Sequence, residues 1–424
     1  MDSPPLSNDT GNDHSGGVGR LMTLLYFTES FPYGLGETWK ENELNGLSSF
    51  FDRILVIPFH GSGEIDPSIC LEKNIQVEDP LFSKLENNYN LVSVIRLGLS
   101  YPVTLIREIS KTLLKGRYGW NQFFTSSTRI YNLSKHERLR KYLRMRESLS
   151  YFFWGRLTAE VLAVFSPEMP SVMRLHGYDL YKDRYPTGYI PFHDLVLRAA
   201  DLLLPVSGMG KSYLISEWSV EPEKIERAPL GVRHFGMSKM SNDGVLRIFS
   251  CSSLIYIKRI DRLIESLKAI SDIQIRWTHI GDGELMEDLR KQALDLPGNV
   301  TVHWAGHVLP REVHNYYVGK NCDLFVNCSD NEGVPVAIME AMAAGMPVIA
   351  PDVGGISEIV NSENGILLNS DFTNVDLSDA ILKFQSLKAE DVAQMRRAAR
   401  EMQRLEYDAR SNAKELGRQL SRML

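Results

Sequence analysis

Short apolar runs alternate along the chain with longer stretches whose apolar residues recur every three or four positions. The first run is "RLMTLLYFT" (20–28), rich in strand formers. "FDRILVIPF" (51–59) repeats it after a helical stretch around 37–50, and "SVMRLH" (171–176) and "LLLPV" (202–206) follow. Strand-like runs separated by helical patterns predict βαβ units and a parallel sheet. From 236 to 244 the chain reads "GMSKMSNDG", polar and turn-rich, which predicts an interdomain linker. The alternation then restarts with "VLRIFSCS" (245–252), "IQIRWTHIG" (273–281), "VTVHWAG" (300–306), "CDLFVNCS" (322–329), "PVIAP" (347–351) and "GILL" (365–368). The pattern thus predicts an α/β protein of two doubly wound domains facing across a cleft. The first spans 20–235 and the second 245–404, with a helix over 405–424 packing back toward the first. In such sheets ligands sit beyond the C-terminal ends of the strands.

A length of 424 residues suits two domains, and 43% apolar with 24% charged residues is ordinary for a soluble globular protein. A net charge of -6 argues against nucleic acid as the main partner. Cys70, Cys251, Cys322 and Cys328 fit neither a zinc spacing nor a disulfide framework, so a reducing compartment is expected. Residues 1–19 are polar and acidic with no apolar core, and read as a disordered tail, not a signal peptide. No apolar run reaches bilayer length, since Glu340 interrupts the nearest candidate. A cytoplasmic protein, with contact at the inner face of a membrane, is the expectation. Between Arg107 and Arg146 stand 11 Lys or Arg and two acids, interleaved with "YGWNQFF" (118–124). Such a run is either a solvated helix face or a peripheral patch for anionic lipid heads or a phosphorylated acceptor. A basic island in an acidic chain favours the patch.

The stretch "SDNEGVPVAIMEAMAAGMPVIA" (329–350) sets two glutamates, Glu332 and Glu340, in apolar surroundings. It reads as a strand end, a loop, and a helix stopped by Gly345 and Pro347. Apart from Glu340 every residue from Val336 to Ala344 is apolar, so the helix is expected to be buried. A carboxylate there must find donors or cost several kcal/mol. A buried Arg, backbone amides or a ligand diol would serve. Glu332 stands just before the helix, where the macrodipole favours negative charge. The amides of Gly333, Val334 and Val336 form an anion or hydroxyl site.

Strand, "S-x-x-E-G-x-P", seven residues between the glutamates, "A-x-G-x-P-V-I-A" and "G-G-I-x-E-I-V" together resemble the retaining glycosyltransferases of family 4, with a GT-B fold of two facing Rossmann-like domains. The resemblance runs through 321–360 and is patchy in the first half. It implies that Glu340 bonds the ribose of a sugar nucleotide and that Glu332 reaches the donor sugar. The segment Gly333, Val334, Pro335 and Val336 would hold sugar hydroxyls and phosphate.

The same resemblance assigns Lys258 of "CSSLIYIKRIDRLIESL" (251–267) to the departing diphosphate. Ser252 and Ser253 stand where the family has Gly and Arg; Ser253 can still donate a hydrogen bond, and Arg259 is a neighbouring charge without a family counterpart. In "FPYGLGETWKENEL" (31–44), Gly36 would let backbone approach the donor, with Leu35 replacing a family glycine. "VMRLHGYDLY" (172–181) places His176 at a strand end near the donor sugar, with Arg174 and Asp179 as neighbours. Ser207 and Gly231 are assigned to the fold and cleft rim. Asp282 and Glu284 are two acids on one turn and weak evidence for metal. No metal and no cofactor are expected beyond the nucleotide sugar as co-substrate, with a UDP-sugar favoured over GDP or ADP forms. The implied reaction is metal-independent sugar transfer to a glycan or lipid-linked acceptor in surface polysaccharide assembly. A sugar-nucleotide 2-epimerase of the same fold and a degenerate scaffold are the alternatives.

Overall fold

The computed structural model describes residues 22–33, 40–61, 64–65, 69–83, 89–319 and 321–424. The expectations for residues 1–19 and for Gly36 lie outside the described residues. The first sheet consists of β1 (Thr23–Thr28), β2 (Arg53–Pro58), β3 (Ile75–Val77), β4 (Ser148–Phe152), β5 (Ser171–Leu175) and β6 (Leu202–Pro205), in the order β3-β2-β1-β4-β5-β6. Neighbouring strands pair in parallel. Every residue of β1, β4 and β5 is buried, because helices cover both faces. That explains their near-continuous apolar runs. The helices of this half are α1 (Lys40–Leu47), α2 (Leu91–Ser100), α3 (Pro102–Thr112), α4 (Gly116–Lys135), α5 (Glu137–Tyr142), α6 (Gly177–Leu180), α7 (His193–Ala199) and α8 (Gly208–Trp218).

The second sheet has β7 (Val245–Cys251), β8 (Gln274–Ile280), β9 (Val300–Trp304), β10 (Leu324–Val326), β11 (Val348–Pro351) and β12 (Gly365–Leu368), ordered β12-β11-β10-β7-β8-β9 and again parallel. Its helices are α9 (Ile260–Lys268), α10 (Met286–Ala293), α11 (Pro310–Gly319), α12 (Val336–Ala343), α13 (Asn374–Gln385), α14 (Ala389–Glu406) and α15 (Ala409–Ser421). Each sheet starts in its middle and reverses order once, at β1/β4 and at β7/β10. A crevice therefore opens at the strand C-termini of each half. The doubly wound α/β expectation holds. The strand pattern did not include β3 or β4, although β4 lies central between β1 and β5.

Between the sheets the chain is clamped. Buried Arg174 on β5 pairs with Glu43 of α1 and donates to the carbonyls of Ala228 (2.7 Å) and Pro229 (2.8 Å). Arg174 therefore faces the fold and not a ligand. The returning C-terminal chain crosses Val232: its amide donates to Tyr407 O (2.9 Å), and Ala409 N donates to Val232 O (3.1 Å). Gly231 permits this crossing, since a Cβ there would stand 2.6 Å from Ala409 N. Beyond it α15 packs on α1, with Gly46 against Ala413 and Gly417 against Phe50.

Candidate active site

At the C-terminal end of β10 the chain turns through residues 327–335 into α12. Pro335 caps the helix in extended conformation, and its lack of an N–H costs nothing there. Glu332, 7% exposed, accepts hydrogen bonds from Ser329 Oγ (2.6 Å) and Lys258 Nζ (2.5 Å) on the same oxygen, Oε1. The sequence had given Lys258 and Glu332 separate tasks; the structure joins them in one ion pair, and Ser329 is a third member that sequence reasoning left without a role. Beneath this loop runs the "GG" turn: Gly355 N donates to Gly333 O (2.7 Å). Gly354 has φ +54, and a Cβ on it would meet Glu332 O at 1.8 Å. Only glycine fits that approach. Among the described residues no acceptor takes the amides of Gly333, Val334 or Val336. They remain available as donors at the start of α12.

Glu340 lies one turn along α12, half-buried, and no donor among the described residues reaches its carboxylate. Burial alone pushes its pKa up to about 8. The Cys251 thiol beside it is pushed up to about 12, first by burial and then by the Glu340 charge. The carboxylate thus carries an unmet need for hydrogen-bond donors.

Lys258 is delivered by the loop from β7 to α9. His279 on β8 fixes that loop: its Nδ1 shares a hydrogen bond with Ser250 Oγ (2.9 Å), and Nε2 faces Ser252 O (3.2 Å). Burial lowers the His279 pKa to about 4, so its imidazole is neutral. Leu254 N donates to Asp282 O (3.0 Å), and Gly283 packs on Leu254. The "HIGDGE" segment is accordingly a support for the Lys258 loop, with Asp282 Oδ1 turned to Gly283 N (2.7 Å). No group of three His, Cys, Asp or Glu among the described residues is arranged to hold a metal. Ser253 is exposed, and its hydroxyl has no bond within the described residues. Arg259 turns away into Asp261 (2.9 Å) and Asp330 (3.2 Å), which neutralise it.

From the first half, His176 ends β5 and starts α6. Its ring packs between Phe153 (centroids 4.9 Å) and Trp154 (4.3 Å), with Asp179 Oδ2 3.5 Å from Nδ1. Burial is the main cause that lowers the His176 pKa, outweighing Asp179. A neutral imidazole can then give or take one hydrogen bond at each nitrogen. Lys40 of α1 lies over Phe153 at 4.0 Å and completes this box. Phe153 and Trp154 directly follow β4, so missing that strand also hid them; the run "SLSYFFW" was the available signal.

The two halves meet along this edge. Gly333 lies against Gly177, next to His176, and Gly355 against Ser207. Arg184 Nε donates to Asn331 Oδ1 (2.7 Å), and Asn331 Nδ2 to Asp183 (3.2 Å). Glu358 accepts both first amides of α8, from Gly208 (2.8 Å) and Met209 (2.7 Å). The loops bearing His176 and Glu332 therefore form one continuous wall.

Of the basic segment 107–146, much is committed inside the fold. Arg129 pairs with buried Glu160 (2.6 Å), Arg138 donates to the carbonyls of Asp79 and Pro80, and Arg107 and Lys111 both bind Asp194. Phe123 is buried and Trp120 and Phe124 pack beside it, so these three aromatics point inward, while Tyr118 is exposed. No helix among the described residues is long and apolar enough to cross a membrane.

This arrangement belongs to a class: two Rossmann-like halves, with a charged pair and an orphan carboxylate on the second, form the GT-B fold. The lipopolysaccharide outer core galactosyltransferase WaaB superposes with a TM-score of 0.64 over 92% of this chain and 98% of its own, at 16% identity. Anabaena Alr3699/HepE in complex with UDP-glucose superposes with a TM-score of 0.59 over 94% and 99%, at 18% identity. Residues 238–402 match the family Glycosyl transferases group 1. Over 271 residues the chain is 26% identical to the putative colanic acid biosynthesis glycosyltransferase WcaL of Escherichia coli K12. That alignment covers 59% of this chain and 62% of the relative, so the chain spans about three-fifths of that protein's length.

Proposed function

We propose that the chain is a retaining glycosyltransferase that moves a sugar from a nucleotide diphosphate sugar, of the UDP type, to a glycan or lipid-linked acceptor in cell-surface polysaccharide assembly. The observation that carries this reading is the pairing of two unlike carboxylates on one loop and helix. Glu332 is satisfied by Lys258 and Ser329, whereas Glu340 has no donor among the described residues. Glu340 takes the ribose hydroxyls, and the amides of Gly333, Val334 and Val336 take the diphosphate and sugar oxygens. Lys258 stabilises charge on the diphosphate as it leaves, in a site where such charges act most strongly. Glu332 holds Lys258 in place and faces the sugar. His176, kept neutral by burial, orients the sugar hydroxyls. The bond from the anomeric carbon to the diphosphate breaks, the acceptor oxygen bonds that carbon on the same face, and the acceptor proton passes to the departing phosphate. WcaL bears the name of a colanic acid biosynthesis enzyme and HepE was crystallised with UDP-glucose, both in keeping with this substrate class.

Incubation with a UDP-sugar and no acceptor separates this reading from a 2-epimerase, because only the epimerase turns over. A thermal-shift series with UDP, GDP and ADP tests the nucleotide, since the ligand that binds the native state raises its melting temperature. Stabilisation by GDP or ADP and not by UDP would overturn the base assignment.

A further inference from the structure

The crossover between β3 and β4 carries a helical hairpin, α2 and α3, whose two faces differ sharply. Val94 and Leu97 of α2 are buried against Phe123 and Ile130 of α4, with Leu105 and Ile109 of α3 packed alongside. The opposite face is apolar and bare. On α2 the stripe Val92, Ile95 and Leu99 is 53, 55 and 80% exposed; Val103 and Ile106 on α3 are 79 and 67% exposed, and Leu114 just past its end 95%. Isolated apolar residues are normal on a surface, but a contiguous apolar face on two adjoining helices marks an interaction site.

The charges on this hairpin have one sign. From 91 to 118 there are five Lys or Arg and a single acid, Glu108. Glu108 is buried and engaged with Tyr189 OH (2.7 Å), Phe192 N (2.8 Å) and Lys111 (3.1 Å). Arg96 and Arg117 are exposed and have no ion-pair partner among the described residues. Two copies of the chain meeting here would set like charges together, whereas a bilayer offers both hydrocarbon and phosphate.

We infer that the outer face of α2–α3 docks the protein on an anionic lipid bilayer, with its apolar stripe in the interface and Arg96 and Arg117 among the headgroups. This face overlaps the basic segment 107–146 at Leu114 and Arg117 and extends it to α2, which the sequence did not single out. It deepens the lipid-linked acceptor in the proposed function. The hairpin is also tied to the cleft: Glu108 holds Tyr189 and Phe192, on the same segment as Asp183 and Arg184, which touch Asn331.

The test is flotation of the full chain with phosphatidylcholine vesicles, with and without one-third phosphatidylglycerol. Binding is expected with the anionic vesicles only, and weaker as salt rises. The double variant L99E/I106E should lose at least about tenfold in vesicle affinity, and Arg96→Glu and Arg117→Glu about fivefold each. Melting temperature and UDP-glucose binding should stay at wild-type values in all of them. No binding to anionic vesicles, or equal binding by wild type and L99E/I106E, would overturn the inference. So would a dimer that Leu99→Glu dissociates without any vesicle binding, which would give the face to a second copy. Vesicle binding by a chain that none of UDP, GDP and ADP stabilises would instead remove the transferase reading and leave the docking face standing.

Discussion

The two halves share one strand order and spend it differently. In the second half the crossover at the switch point, 305 to 323, holds one helix, α11, and the loops beyond the strands are short. They bring Lys258, Glu332 and the α12 amides to one place. In the first half the described residues of the equivalent crossover, 78 to 147, hold four helices, α2 to α5, the first two forming the exposed apolar hairpin. Its cleft side offers a buried aromatic box around His176, closed by Lys40 and Asp179. In the proposed function the second half meets a nucleotide diphosphate, which fixes the geometry of whatever binds it, and tight loops suit that task. The half proposed to meet a variable acceptor, or a surface, is free to grow in its longest connection.

The largest expected effect tests whether the chemistry resides in the second half. Lys258→Ala and Glu332→Ala should each lower kcat by about 100- to 1000-fold, the size of a lost transition-state donor. Because the two side chains form one pair, the double variant should cost hardly more than either alone. Steady-state kinetics with a UDP-sugar and acceptor measure this. Additive losses would mean that the 2.5 Å pair does not act as a unit.

A second, smaller effect concerns Glu340. Its pKa in the folded chain, about 8, stands above the ordinary 4.5, so the folded state holds a proton that the unfolded state gives up. Stability from this group is full below pH 4.5 and is lost as pH rises toward 8. Glu340→Gln should therefore be more stable than wild type near pH 7, by about 2 kcal/mol after allowing for partial exposure. At pH 4 the two should melt together. Nucleotide-sugar binding reverses the logic, since ribose hydroxyls donating to the carboxylate favour its charged form. Calorimetry near pH 7 in buffers of different ionisation enthalpy should show release of up to one proton, and none from Glu340→Gln.

Which parts of this contrast were legible in the sequence follows from how local each signal is. Glu332, Glu340, Pro335 and Gly345 lie within one short stretch, and the helix pattern alone exposes a carboxylate without a water-facing side. Lys258 was found by its place after β7, but its bond to Glu332 spans 74 positions and no local pattern encodes it. The Asn331–Arg184 contact and the Glu358 cap on α8 join residues about 150 apart and were invisible for the same reason. Strand β4 carries a local signal in "SLSYFFW", but its central place is set by pairing with β1 and β5 on either side, which no local pattern encodes. The basic segment drew notice by its composition, yet structure spends Arg129 and Arg138 inside the fold. The exposed stripe of α2 reads as an ordinary amphipathic helix until its buried side is seen to be the other one.

The smallest expected effect asks how firmly the halves are held together. Glu358 belongs to the second half, yet its carboxylate caps α8 of the first through two amides, with Arg227 3.7 Å away. Glu358 is part of the "GGISE" turn that also supports Glu332, so its cap could fix the two walls of the cleft relative to each other. Removing a carboxylate cap costs about 1 kcal/mol, which in a chain of this size lowers Tm by roughly 2 °C. Glu358→Ala should show that shift in calorimetry. Its affinity for UDP should stay near wild type, because the proposed function rests the nucleotide on the second half alone. Its KM for the acceptor should rise a few-fold, because the acceptor must be gripped from the first half. If instead UDP affinity falls and acceptor KM does not move, the contact serves the Glu332 loop and not the junction, and the division of labour between the halves fails at this edge.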